Sequence, residues 1–171
     1  TLGGRLSRQA SRGDVSWNVL TASERALRGA TSLALTASSL SEGVLRVASG
    51  SRLEVDAGGR VELAGNTSID IAGSVLAPGG EIAIGMREPS FGEDYLGATI
   101  RLLDGARVDA SGTLLARMAD GRQIGAVLDG GTIDINARRG YLLADAGAEI
   151  RSDGSRGALH LPDAGSGRIR L

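Results

Sequence analysis

Four short triplets at a fixed interval constrain this chain more than any other feature. Apolar–polar–apolar triplets stand at Leu45-Arg46-Val47, Leu53-Glu54-Val55, Val61-Glu62-Leu63 and Ile69-Asp70-Ile71, starting at 45, 53, 61 and 69. Alternation of this kind marks a strand with one buried face, the outer residues pointing inward and the middle one to water. Between the triplets lie Gly, Ser, Ala, Asn and Asp, which favour turns. Helical periodicity is absent from the stretch.

The triplet recurs at Leu33-Ala34-Leu35, Ile82-Ala83-Ile84, Ile100-Arg101-Leu102, Val108-Asp109-Ala110, Ile133-Asp134-Ile135, Leu159-His160-Leu161 and Ile169-Arg170-Leu171. Longer echoes accompany it: PGGEIAIG (78–85) resembles DGGTIDIN (129–136), and GARVDASG (105–112) resembles GAEIRSDG (147–154). Sorted by interval, the strands fall into three columns. One runs Leu20, Leu45, Ile69, Tyr95, Leu115, Leu142, Ile169; a second Leu27, Leu53, Leu76, Ile100, Ile124, Ile150; a third Leu35, Val61, Ile82, Val108, Ile133, Leu159. The mean step is about 25 residues in each. A turn of that size cannot bury its own triplets. Stacking turns at about 4.8 Å pairs every strand and encloses a continuous core. The expectation is an all-β parallel solenoid with three strands and about 25 residues per coil, and six to seven coils. A β-sandwich is the competitor, and it favours a more aromatic core and hairpin dipeptides such as Asn-Gly.

The length, 171 residues, fits a single segment spanning 1–171. Two stretches break the period and read as projecting loops: MREPSFGEDYLG (86–97) and LARMADGRQIGAVLDG (115–130). Near 1–30 the start reads as irregular or short-helical, with Thr21 and Glu24 spaced as a capping box and Gly29 able to end a helix. The chain opens on Thr rather than Met and has no apolar core of a signal peptide near its start, so it reads as a processed or excised piece whose export signal, if it has one, lies outside it.

Composition narrows the chemistry. Cysteine is absent and histidine occurs once, at His160, which excludes disulfides, thiolate zinc sites and any site needing two imidazoles. All 19 basic residues are Arg, so there is no P-loop or Schiff-base lysine. The formal net charge of −1 lacks the basic excess of a nucleic-acid binder. No apolar run approaches the roughly 20 residues that span a bilayer, so a membrane-spanning chain is not expected.

An enzymatic reading starts from the outward members of the third column: Glu62, Ala83, Asp109, Asp134 and His160. Asp109 stacked on Asp134 would pair two carboxylates at the spacing glycosidases use. No aromatic sugar platform accompanies them, and a solvated acidic stripe explains the same residues. The GGTIDIN stretch lacks the third Gly of a calcium-binding repeat, and the eight-residue interval differs from the six of left-handed acyltransferase helices. No metal, cofactor or catalytic residue is expected.

The runs GSRLEVDAGGRVELAGNTSIDIAGSVLAPGGEIAI and GARVDASG…GGTIDINARRGYLLADAGAEIRSDG resemble filamentous haemagglutinin-type exoproteins, the secreted passengers of bacterial two-partner secretion. The resemblance covers roughly residues 30–171. It implies a right-handed parallel β-helix, export from a Gram-negative cell through a partner outer-membrane transporter, and a structural or adhesive shaft at the surface or in the medium. The expected roles are adhesion to a host receptor or surface glycan, biofilm, or toxin presentation in virulence. The alternative is a carbohydrate-active β-helix hydrolase or lyase. The Asn-rich N-P-N-G signature of the family's secretion domain is missing, which suits an internal or distal segment. Two binding candidates follow. Arg12-Gly13-Asp14 spells an integrin-type RGD string, although in a chain with 19 Arg and 27 Gly chance is not negligible, and Arg and Asp flanking a Gly turn are ordinary surface residues. The 86–97 segment combines Arg87, Phe91, Glu93, Asp94 and Tyr95, and exposed aromatics commonly anchor interfaces.

Overall fold

The computed structural model describes residues 4–8, 15–19, 29–38, 43–87, 97–119, 122–155 and 167–171. Alternating apolar residues make these stretches strands. Val44–Val47 buries Leu45 and Val47 and exposes Arg46, and Glu81–Met86 and Thr132–Asn136 alternate in the same way.

The strands form three parallel sheets. The first orders β3 (Leu33–Ala37), β6 (Arg60–Gly65), β9 (Glu81–Met86), β14 (Thr132–Asn136) and β17 (Arg168–Arg170). The second holds β4 (Val44–Val47), β7 (Ser68–Ile71), β10 (Thr99–Leu102) and β15 (Tyr141–Ala144). The third holds β5 (Arg52–Glu54), β8 (Ser74–Leu76), β11 (Arg107–Asp109) and β16 (Glu149–Arg151). The chain visits first, second and third sheet in that order, repeatedly, and every pairing within the three is parallel. Two antiparallel pairs stand apart from them: β1 (Gly4–Arg8) with β2 (Val15–Val19), and β12 (Leu114–Ala119) with β13 (Arg122–Val127).

Inward residues stack in rows. Leu45, Ile69, Ile100 and Leu142 form one on the second sheet. Leu53, Val75, Val108 and Ile150 form one on the third. Leu33, Val61, Ile82, Ile133 and Ile169 form one on the first. Apart from Ile169, which is exposed at the end of the first-sheet row, they make one core, with Val61, Ile69, Val75, Ile82, Ile100, Val108 and Ile133 fully buried. Short aliphatic side chains suit it, because identical shapes repeat at the strand spacing.

The corner into the first sheet requires glycine. Gly59, Gly80 and Gly131 lie over one another, and a Cβ on Gly80 would run into the Gly59 backbone. The close approach lets Glu81 N donate to Gly59 O and Thr132 N to Gly80 O, both at 2.9 Å.

Several column assignments are corrected. Ile133 stacks between Ile82 and Ile169, not between Val108 and Leu159. Ile100 occupies the second-sheet position assigned to Tyr95, and Val75 rather than Leu76 faces Leu53. Leu115 and Ile124 belong to the β12–β13 hairpin. The physical reason is that a parallel ladder fixes pairing but leaves the connection between paired strands free in length. Side-chain contacts between successive strands span 24 positions for Arg46–Asp70 and 21 for Arg60–Glu81, but 31 for Asp70–Arg101.

Candidate functional site

Outward positions carry the charges, and the register sets their neighbours. On the second sheet Asp70 lies between Arg46 and Arg101. Arg101 Nε donates to Asp70 Oδ1 at 2.8 Å and Arg101 Nη2 to Oδ2 at 3.2 Å, while Arg46 Nη2 reaches Oδ2 at 3.3 Å. These two side chains cover the carboxylate, leaving the Asp70 side chain 4% exposed. The alternation pattern predicts a solvated Asp70; the guanidinium cover, from the strands on either side, is what buries it.

Asp109 is not stacked on Asp134. Asp109 lies on the third sheet between Leu76 and Arg151, and Asp134 lies on the first between Ala83 and Arg170. The carboxylate pair expected from the columns is therefore not formed. Asp109 instead accepts from Arg107 and from the Ser111 backbone N–H at 2.8 Å. Partial burial pushes its carboxyl upward, but the hydrogen bonds from Ser111 and Arg107 outweigh this and hold it below the usual value.

The outward face of the first sheet carries a solvent-open groove of about 300 Å³. Its floor is β9, where Ala83 and Gly85 leave little side chain. Glu62 and Ala64 of β6 form one wall, Asp134 and Asn136 of β14 the other. Arg60 stands at one end, bonded to Glu81 at 2.7 Å and more distantly to Glu62 at 3.7 Å. At the other end are Arg87 and Arg138. Arg138 has φ of 55°, a left-handed conformation uncommon for a side chain of this size. Its backbone N–H donates to Asn136 Oδ1 and its Nε to Met86 O, both at 2.8 Å.

Of the sequence candidates, exposed Arg87 lines this groove. Arg12, Gly13, Asp14, Phe91, Glu93, Asp94, Tyr95 and His160 lie outside the described residues. Glu62, Ala83 and Asp134 do share one outward row, but as direct neighbours, without the Asp109 that the third column set between Ala83 and Asp134. Sequence reasoning missed Asn136 and Arg138 as groove residues. The echo between PGGEIAIG and DGGTIDIN was the available signal, because it sets Gly85 opposite Asn136.

Among the described residues no helix is long and apolar enough to cross a membrane, and no three His, Asp or Glu side chains converge to hold a metal ion. No protein-family model, curated protein or solved structure matches this chain.

Proposed function

We infer that this chain is a shaft segment of a large exported bacterial surface protein, built as a right-handed parallel β-solenoid. The observation that carries this is the repeated passage through three parallel sheets around one aliphatic core. A stack of this kind gains rigidity by adding turns, each templated by the last. It resists bending because each strand inside the three sheets is hydrogen-bonded above and below. Each of its outward rows carries charged side chains, which keeps the faces hydrated. The function is mechanical: the rod holds loops or a further domain away from the cell for adhesion, biofilm or toxin presentation. It has no catalytic step and no cofactor. Export proceeds through a two-partner outer-membrane transporter, in line with the resemblance to filamentous haemagglutinin-type exoproteins. The partner at the far end is a receptor or a surface glycan.

An antibody against residues 43–155, applied to intact and lysed producing cells, tests the reading. Labelling of intact cells or medium, lost on deletion of the partner transporter, is expected. Antigen confined to the cytoplasm of lysed cells would refute it.

A further inference from the structure

The groove on the first sheet differs from the other outward faces in how its acids are paired: on the third sheet the matching row, Glu54, Leu76, Asp109 and Arg151, also sets two acids either side of an apolar residue, but Arg52 and Arg107 on the same strands bind them. On the second sheet the central outward row reads Arg46, Asp70, Arg101, Leu143, so each charge meets its opposite before the row ends on an exposed leucine. On the first sheet the row reads Ala34, Glu62, Ala83, Asp134, Arg170. Ala83 stands where a cation would complete the alternation. Glu62 and Asp134 flank it, their backbones about 9.6 Å apart, or two strand spacings. Among the described residues Asp134 makes no hydrogen bond or ion pair, and its register neighbour Arg170 does not reach ion-pair distance. Glu62 has only the 3.7 Å approach of Arg60, a side chain already held at 2.7 Å by Glu81. Two under-neutralised carboxylates thus border one cavity over a methyl floor. Arg87, without a carboxylate partner among the described residues, stands four positions after Ala83 and one beyond the end of β9, about 13 Å along an extended chain.

We propose that this groove binds an extended peptide segment whose lysine or arginine side chain enters between Glu62 and Asp134 above Ala83, with an acidic residue four positions away meeting Arg87. The inference does not depend on the shaft reading, and its failure would leave that reading intact. Three features favour a peptide. The groove runs along a strand and is two strand spacings wide. Its opposite charges are separated by the distance between residues i and i+4 of an extended chain, which share a face. Its lining holds no aromatic ring for a sugar to stack on. A small amine would satisfy the acidic half alone, so the shared ammonium chemistry needs an experiment that separates the two sources.

The probe is an end-capped, fluorescein-labelled peptide, Ser-Lys-Ser-Thr-Ser-Glu-Ser, titrated with the 171-residue chain at low salt and followed by anisotropy. N-acetyl-lysine amide is tested as a competitor. Saturable binding is expected, weakened about tenfold by Glu62→Gln or Asp134→Asn, the scale of one charge-assisted contact. Arg87→Ala weakens binding of this peptide but not of a version with glutamate replaced by serine. Ala83→Arg fills the gap with the chain's own cation, so it abolishes binding and raises Tm by about 1–3 °C. Equal binding of a norleucine-for-lysine peptide overturns the proposal. So does competition by N-acetyl-lysine amide at the peptide's own concentration range, which would mark a simple amine site. Undiminished binding by Ala83→Arg, or a Tm below the parent's, overturns the slot geometry.

Discussion

Asp70→Asn isolates the guanidinium clamp on the second sheet, because it keeps the side chain's shape and removes its charge. The cost can be built from the contacts. Arg101 binds both carboxylate oxygens, at 2.8 and 3.2 Å, while its own side chain is 46% exposed. Hydrogen bonds to charged groups contribute about 1.5–3 kcal/mol, and half-exposure of the donor argues for the lower part of that range. Arg46 makes one 3.3 Å contact from a side chain 68% exposed, which is the regime of a surface pair, about 0–1 kcal/mol. The amide replacing the carboxylate keeps one acceptor but turns an NH₂ donor toward a guanidinium that also only donates. The sum is about 2–3 kcal/mol of destabilisation.

Urea unfolding of the parent and variant measures it, as a shift in midpoint at unchanged slope. A double-mutant cycle with Arg101→Met should give a coupling of about 1–2 kcal/mol, and one with Arg46→Met less than about 0.5 kcal/mol. Raising salt to 0.5 M should erase little of the Arg101 coupling, since the carboxylate is shielded from solvent. A cost below about 0.5 kcal/mol for Asp70→Asn, or equal coupling to both arginines, refutes the reasoning.

Asp109 has a folded-state carboxyl held below its ordinary value of 3.8, so its contribution to stability is present above that value and lost as pH falls through the lowered one. The Tm difference between the parent and Asp109→Asn should therefore be full at neutral pH and vanish in strong acid. Gly80→Ala drives a methyl into the Gly59 backbone and should cost about 2 kcal/mol or more, whereas Gly97→Ala, with open space around the new carbon, should be near neutral in the same denaturation series. Ile133→Ala should cost about 2–5 kcal/mol, as large-to-small changes in a closed core do. Native-state hydrogen exchange should then speed at the amides near Ile82 and Ile169 before those near Val108, and the opposite order would restore the column assignment that the register overturned.

The inward faces were legible because alternation is local. Leu45 and Val47, Val61 and Leu63, Ile82 and Ile84, and Ile133 and Ile135 are all buried as their triplets require. Which triplet lies over which was not legible from a fixed step, because the step is not fixed. Strands 114–119 and 122–127 pair antiparallel and come, in chain order, between the third and first sheets. The Asp120-Gly121 dipeptide between these strands is a hairpin signal that counting ignored. Whole-motif similarity held the register where counting lost it: PGGEIAIG and DGGTIDIN pair Ile82 with Ile133 across that insertion, and GARVDASG and GAEIRSDG pair Val108 with Ile150. An insertion between two strands leaves the flanking motifs' hydrogen bonds unchanged, so motifs carry pairing and interval does not. The same reasoning explains why the groove and the Asp70 clamp were hidden. Each arises from residues on three successive strands: Glu62, Ala83 and Asp134 in one case, Arg46, Asp70 and Arg101 in the other. Every one of these residues is, within its own triplet, an ordinary outward side chain. Its environment is fixed only when both neighbouring turns are in register, and two turns of register are what an interval count across an insertion cannot supply.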